Sequence, residues 1–309
     1  MDVAILGTGG VGGYYGGVLA RAGHDVRLWA RGANLDALRS RGLEVRTPDG
    51  TFTVKPTTTN SPDQLGRVDF ALVSVKSYSL SEVAPGARAV ASRGAVILPL
   101  LNGVDAAERL TALGVPREAI LGGLTMISAE RVAPGIVERK SPFASIVLGE
   151  LDGGTSARAE AIVEAFRSAA VDVRESENVT VDLWQKFIFI ASLATICGLA
   201  RSSIGPIREA PQGSEFISAA VNEAVAVARV RGVQLPRDQA QLTLRTIEGL
   251  PAQMRPSFLL DLERGGPTEL DALTGAVSRM GREGGVPTPV SMAATAALSA
   301  NLAASRPLR

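Results

Sequence analysis

Along the first half of the chain, short apolar runs rich in β-branched residues recur at regular intervals: VAILG (3–7), VRLWA (26–30), FALVSV (70–75), AVILPL (95–100) and AILGG (119–123). Ala-rich stretches with helical spacing separate them. Alternation of this kind predicts βαβ units and a parallel sheet. The stretch from Leu124 to Gly149 breaks the rhythm. TMISAERVAPGIVERK and FASIVLGE read as a three-stranded meander turning at Pro134-Gly135, an antiparallel edge on the parallel sheet. Residues 155–170 return to helical spacing and lead to a last strand at VDVRES. After Glu177 the strand patterns stop, and segments 180–197, 214–231, 236–248, 256–264, 269–283 and 288–303 carry helical periodicity. Gly205-Pro206, Pro211, Gly232, Pro236, Pro251, Pro256, Pro267 and Pro287 punctuate them as stops or first-turn residues. The pattern therefore predicts two domains, an α/β domain over 1–176 and an all-α domain over 177–309, with the terminal SRPLR frayed.

Length agrees, since 309 residues exceed what one core usually organises. The 32 basic and 31 acidic side chains leave a net charge of +1, which gives no long-range attraction to nucleic acid or anionic lipid. One cysteine, Cys197, and one histidine, His24, exclude an intrachain disulfide and leave no zinc cluster, so no metal is expected. Cys197 in an apolar segment reads as packing, and His24, in a turn, as structural or exposed. RSRGLEVR reads as a solvated basic helix end. Met1 runs straight into a strand without a basic leader, and the run from Phe187 to Ala200 is short for a bilayer span and interrupted by Gly198. The expectation is a cytoplasmic protein without membrane contact. Its Ala- and Leu-rich helical half makes a homodimer the expectation for assembly.

GTGGVGG follows the first strand and opens a helix, so Gly7, Gly9 and Gly12 form G-x-G-x-x-G in a βαβ context. The first glycine serves the tight turn, the second lets the backbone approach a pyrophosphate, and the third lets helix and strand pack closely. Free N–H groups at the helix start complete an anion site, placing Gly7, Thr8, Gly9, Gly10, Val11 and Gly12 at a dinucleotide; a Gly-rich turn without a ligand is the competing reading. The second strand ends in Arg31 with no acid beside it. A guanidinium there suits the 2′-phosphate of NADPH, although a lone solvated loop cation satisfies the same pattern. Lys76 and Asn102 follow two further strands, at the ends where ligands of open α/β sheets bind. By residue type alone they are equally a snorkelling lysine and a turn asparagine.

The segment DLWQKFIFIASLATICGLA (182–200) holds Lys186 at the edge of a run with no other charge until Arg201. Taken with GTGGVGG, WAR, VKSYS, LNGV, LWQKF, NEAVAVARVRGV and RPSFLLDLERGGPTELDALTGAV, the chain resembles the ketopantoate reductase (2-dehydropantoate 2-reductase) family over essentially its whole length. The resemblance implies an N-terminal Rossmann-type domain, a helical domain with substrate and catalytic groups, and NADPH-dependent reduction of a 2-oxo acid, as in pantothenate biosynthesis. It also implies that Lys76 and Asn102 line the cleft at the nicotinamide, that Lys186 is the general acid, and that Ser257 and Glu269 hold substrate, Glu269 also orienting the amine. Chemistry agrees: hydride arriving at a carbonyl carbon drives charge onto the oxygen, which needs a proton donor, and burial lowers a lysine pKa toward the working range. Judged by residue type, Lys186 could equally snorkel, Ser257 could be a first-turn residue and Glu269 a surface acid.

Four positions depart from the family pattern, with Ile190, Ala194, Ile204 and Gly266 standing where the family usually has polar side chains. Lys186, Ile190 and Ala194 share one helix stripe, so the wall above the amine is expected to be apolar and the substrate to be ketopantoate or a more apolar analogue. Two other functions fit the same halves: a β-hydroxyacid dehydrogenase-like or imine-reducing enzyme, and a non-catalytic NADPH-binding sensor.

Overall fold

The computed structural model describes residues 1–304, so the SRPLR segment lies outside the described residues. The chain forms two compact units, one of Met1–Leu101 with Asp105–Asp182, the other of Asn102–Val104 with the residues from Leu183 onward. The division falls inside a helix, slightly beyond the 176/177 boundary read from the sequence, and it assigns Asn102–Val104 to the helical unit.

In the first unit the chain runs through β1 (Asp2–Leu6), α1 (Gly10–Arg21), β2 (Asp25–Trp29), α2 (Gly32–Arg41), β3 (Leu43–Thr47), β4 (Gly50–Val54), β5 (Thr57–Thr59), β6 (Phe70–Val73), α3 (Leu80–Ala91), β7 (Val96–Pro99) and α4 (Ala106–Ala112). It continues through β8 (Gly122–Met126), β9 (Ala129–Ala133), β10 (Ile136–Arg139), β11 (Ser145–Gly149), α5 (Ala157–Ser168) and β12 (Asp172–Glu175). Five strands pair in the order β5-β2-β1-β6-β7, all parallel. The order reverses beside β1, which puts the ligand crevice of such a sheet at the carboxyl ends of β1 and β6.

Alternate residues of these strands feed opposite cores. Val3, Ile5, Leu28, Phe70 and Leu72 pack with Tyr15 and Leu19 of α1 and Phe166 of α5. Ala4, Leu6, Ala71, Val73 and Ile97 pack with Leu80, Ala87 and Val90 of α3 and Leu110 of α4. A strand buried on both faces reads as a continuous apolar run, which is why these strands are visible in the sequence.

The expected antiparallel edge takes a different form. β9 and β10 do turn at Pro134-Gly135, but they join β3 and β4 in a separate four-stranded sheet, while β8, β11 and β12 make a three-stranded sheet. AILGG contributes a single parallel bridge, Ile97 to Ile120, before β8 begins at Gly122. RSRGLEVR is only in part a helix end: α2 stops at Arg41, Gly42 takes a positive φ of 83°, and LEVRT becomes β3, with Leu43 and Val45 buried. Its alternating pattern is partnered by the adjacent β4 through the Pro48-Asp49 turn and by β10 from far along the chain, and only the second of these has no local signal.

Among its described residues the second unit has helices and connecting turns: α6 (Val179–Ala200), whose first turn falls in the first unit, α7 (Ile204–Glu209), α8 (Gly213–Val230), α9 (Gln239–Glu248), α10 (Ser257–Glu263), α11 (Thr274–Glu283) and α12 (Pro289–Ala304). α7 is absent from the sequence reading, and α11 starts at Thr274 rather than at residue 269, leaving Glu269 in the turn before it. α6 is also longer than the apolar run suggested. Its 22 residues, at a mean hydropathy of 1.6 in the most apolar window, suffice by length and composition to cross a membrane, yet 61% of that window is buried in the protein, the behaviour of a core helix.

A buried carboxylate anchors α12. Glu223 of α8, 7% exposed, accepts from the Val290 N–H (2.7 Å), the Ser291 N–H (2.9 Å) and the Ser291 hydroxyl (2.7 Å). A negative charge at a helix N-terminus meets both the free amides and the helix dipole. Glu223→Ala strands those donors and is expected to cost about 2–4 kcal/mol, measured as a lowered midpoint in denaturant unfolding, with Glu223→Gln intermediate.

Candidate active site

The glycine-rich turn is shaped by close contacts. Gly7 has φ +109°, a conformation open to glycine, and Ser74 at the end of β6 donates its hydroxyl to the Gly7 carbonyl at 3.0 Å. A Cβ on Gly12 would stand 2.1 Å from that same carbonyl oxygen and 2.2 Å from Ser74 Oγ, so its absence is what lets α1 lie against β1. Gly9 is different: no atom of another segment lies within 4 Å of where its Cβ would be, which leaves backbone facing open space. Gly9 is also the N-cap of α1, with no side-chain cap and no acid in the first turn. An uncapped helix N-terminus over bare backbone fits a pyrophosphate, so the residues present match the dinucleotide expected there.

The other motif residues are structural in part. A Cβ on Gly10 would meet the Ala129 carbonyl at 2.1 Å, and Val11 packs against the core. The Thr8 hydroxyl accepts from Asn34 Nδ2 (2.9 Å), while Asn34 Oδ1 accepts from the Gly135 N–H (2.9 Å). Asn34 thus ties the turn to α2 and to the β9–β10 hairpin, a role that nothing in its local sequence announces. Arg31 follows β2 as the N-cap of α2, with 77% of its side chain exposed, and pairs with Glu82 of α3. Lys76 lies just past β6, at the start of a 3-10 turn over Ser77–Ser79. Gly7, Arg31 and Lys76 thus all follow carboxyl ends of the parallel strands, the side on which such sheets bind ligands.

In the helical unit, three predicted residues form one hydrogen-bonded series. Lys186 Nζ donates to Asn102 Oδ1 at 3.2 Å, and Asn102 Nδ2 donates to Glu269 Oε2 at 3.1 Å. Because the amide accepts from the amine and donates to the carboxylate, its orientation is fixed. Glu269 is only 4% exposed, so it is a buried acid, not a surface one. Lys186 keeps a small accessible surface on α6. Burial lowers its pKa from the ordinary 10.5 to about 8, against the opposing pull of the Glu269 carboxylate. A snorkelling lysine with its head in water would show no such displacement.

The remaining residues divide by exposure. Ser257 opens α10 and is exposed. Ile190, one turn from Lys186, keeps some accessible surface, whereas Ala194 and Ile204 are both 0% exposed and belong to the core. Gly266 has no atom of another segment within 4 Å of a Cβ position. Cys197 is buried in α6, with its thiol pushed up to about 12 by burial. His24 bridges the N-terminal amine (3.1 Å) and Ser168 Oγ (2.9 Å), a structural tie. Among the described residues no group of three or more His, Cys, Asp or Glu is arranged to hold a metal.

Comparison with known proteins bears on both units. Residues 3–153 match the family described as ketopantoate reductase PanE/ApbA, and residues 178–301 match its C-terminal counterpart. The 2-dehydropantoate 2-reductase of Halobacterium salinarum is 31% identical over 294 residues, covering 94% of this chain and 95% of its own. The uncharacterized oxidoreductase YkpB of Bacillus subtilis is 31% identical over 290 residues with the same coverage. The crystal structure of a PanE/ApbA family ketopantoate reductase from Ralstonia eutropha superposes with a TM-score of 0.89 at 30% identity, covering 99% of each chain.

Proposed function

The chain belongs to the ketopantoate reductase family, oxidoreductases acting on a CH–OH group, and on that premise we propose that it reduces a 2-oxo acid to the 2-hydroxy acid with NADPH, Lys186 serving as the general acid. Membership favours this reading over the β-hydroxyacid dehydrogenase-like or imine-reducing enzyme and over the non-catalytic sensor. The observation that carries the proposal is the Lys186–Asn102–Glu269 series with its amine near pKa 8. Near neutral pH that amine is mostly ammonium, yet releases a proton far more readily than an ordinary lysine.

NADPH, when bound, supplies the hydride that goes to the substrate's carbonyl carbon. The residues suited to hold it are the Gly7–Gly12 turn with the α1 N-terminus for the pyrophosphate, Arg31 for the 2′-phosphate, and Lys76 beyond β6 for the nicotinamide end. Lys186 donates its proton to the carbonyl oxygen as charge develops there, leaving a neutral amine to be reprotonated from water. Asn102 points the amine by accepting one of its three N–H bonds, and Glu269 holds Asn102 in that orientation while favouring the ammonium form. Ser257 is assigned to the substrate's polar end.

Of the apolar departures on the α6 stripe, Ile190, one turn from Lys186, is the one that keeps accessible surface, so it is the one assigned to substrate selection. A substrate hydroxyl forced against it would lack a partner, at a cost of about 1–3 kcal/mol. The substrate is accordingly 2-dehydropantoate with its hydroxyl turned elsewhere, or a more apolar analogue. The test is NADPH oxidation with a panel of 2-oxo acids that includes 2-dehydropantoate and apolar branched analogues; no turnover of any member would overturn the proposal. For the cofactor, Arg31→Ala is expected to weaken NADP⁺ binding about tenfold or more in calorimetric titration and leave NAD⁺ binding nearly unchanged.

A further inference from the structure

The Arg31 guanidinium already has an anionic partner. Glu82, in the first turn of α3, forms an ion pair with it, although the two residues lie on different βα connections of the parallel sheet. The packing of α3 accounts for this placement. Gly86 follows Glu82 by one helical turn, and a Cβ on Gly86 would stand 2.3 Å from Cζ3 of Trp29, the last residue of β2. A bare backbone at Gly86 therefore lets α3 approach the end of β2, so the side chain one turn earlier on the same helix face meets the residue two past Trp29. Both partners are exposed, 77% for Arg31 and 43% for Glu82, so the pair contributes little to stability and an incoming anion can displace it.

We infer that Glu82 is a specificity-determining residue for the dinucleotide, a carboxylate that competes with the 2′-phosphate for Arg31 and accepts from the 2′-hydroxyl when that phosphate is absent. The inference rests on the cofactor assignment above. At a strand end where an acid would select the unphosphorylated dinucleotide and an arginine the phosphorylated one, this chain supplies the arginine from the connection after β2 and the acid from α3. Binding of the phosphorylated form then requires Arg31 to leave Glu82, and the carboxylate and the phosphate repel each other. The consequence is a narrowed preference for NADPH, with NADH retained as a usable reductant.

Glu82 also has an ordinary structural role to be separated from this one, since Ser79 Oγ donates to its Oε1 at 3.4 Å at the start of α3. Glu82→Gln keeps an acceptor for Ser79 and removes only the charge. Calorimetric titration of the full-length protein and this variant with NADP⁺ and with NAD⁺ is the test, alongside thermal melting. The expected result is NADP⁺ binding tightened about five- to tenfold, NAD⁺ binding unchanged or weakened, and an unchanged melting temperature. Equal shifts for both dinucleotides, or no change in their ratio, would overturn the inference and leave Glu82 as a helix-start residue. If Arg31→Ala does not alter the ratio either, the cofactor assignment falls with it; if Arg31→Ala collapses the ratio while Glu82→Gln leaves it alone, only the role of Glu82 is lost.

Discussion

Replacing Lys186 by alanine is expected to lower kcat for the proposed 2-oxo acid reduction about a thousandfold while leaving the Kd for NADP⁺ within about twofold, because a positioned proton donor contributes to the transition state alone. A residual kcat within about tenfold of the parent would reassign the acid. The pH profile carries the same information. With the amine titrating at about 8, the reductive rate holds below that pH and declines above it, and the decline is absent from the residual activity of the variant. Stability runs the other way. The folded pKa lies below the unfolded value, so between about 8 and 10.5 the unfolded chain binds the proton that the folded chain has lost, and unfolding free energy rises with pH across that window. Lys186→Met removes this rise, which denaturant titrations over that pH range would detect in protein without substrate or cofactor. Loss of the rate with the rise retained in the variant would mean that the reaction needs the amine but that another group titrates in that window.

The second large effect is expected at Gly12. Alanine there puts a methyl group 2.1 Å from the Gly7 carbonyl oxygen and 2.2 Å from Ser74 Oγ, and a carbonyl held by a hydrogen bond from Ser74 has little room to retreat. α1 has to move off β1, which costs about 2–4 kcal/mol of stability and carries the helix N-terminus away from the phosphate position. Dinucleotide affinity should fall about a hundredfold or more, for NADP⁺ and NAD⁺ alike, in contrast to the selective effect of Arg31→Ala. Gly9→Ala meets no protein atom within 4 Å, so its effect should be confined to cofactor binding with the melting temperature retained. The two glycines of one motif are thereby separable: a drop in stability for Gly9→Ala as large as that for Gly12→Ala would remove the distinction between packing and ligand approach.

The parallel sheet and the dinucleotide turn are legible in the primary structure because their signals are local. Strands buried on both faces write continuous apolar runs, and a turn that permits backbone contact writes glycine at fixed spacing. Lys186 stands out for the same reason, as the last charge before the run to Arg201. Partners brought together across the chain are not legible in this way. β3 and β4 mix polar and apolar residues and write no continuous apolar run, and β3 is held between the adjacent β4 and β10, roughly ninety residues away. Glu269 looks like any surface acid in TELD until the turn before α11 buries it. Asn102 lies 84 positions from Lys186 and 167 from Glu269, and Arg31 lies 51 from Glu82. Residue type and spacing along the chain thus determined which side chains are capable of the chemistry. Tertiary packing decided which of them meet, and with that the pKa of the amine and the partner of the guanidinium, because desolvation and Coulomb interaction depend on distance in space, not on separation in sequence.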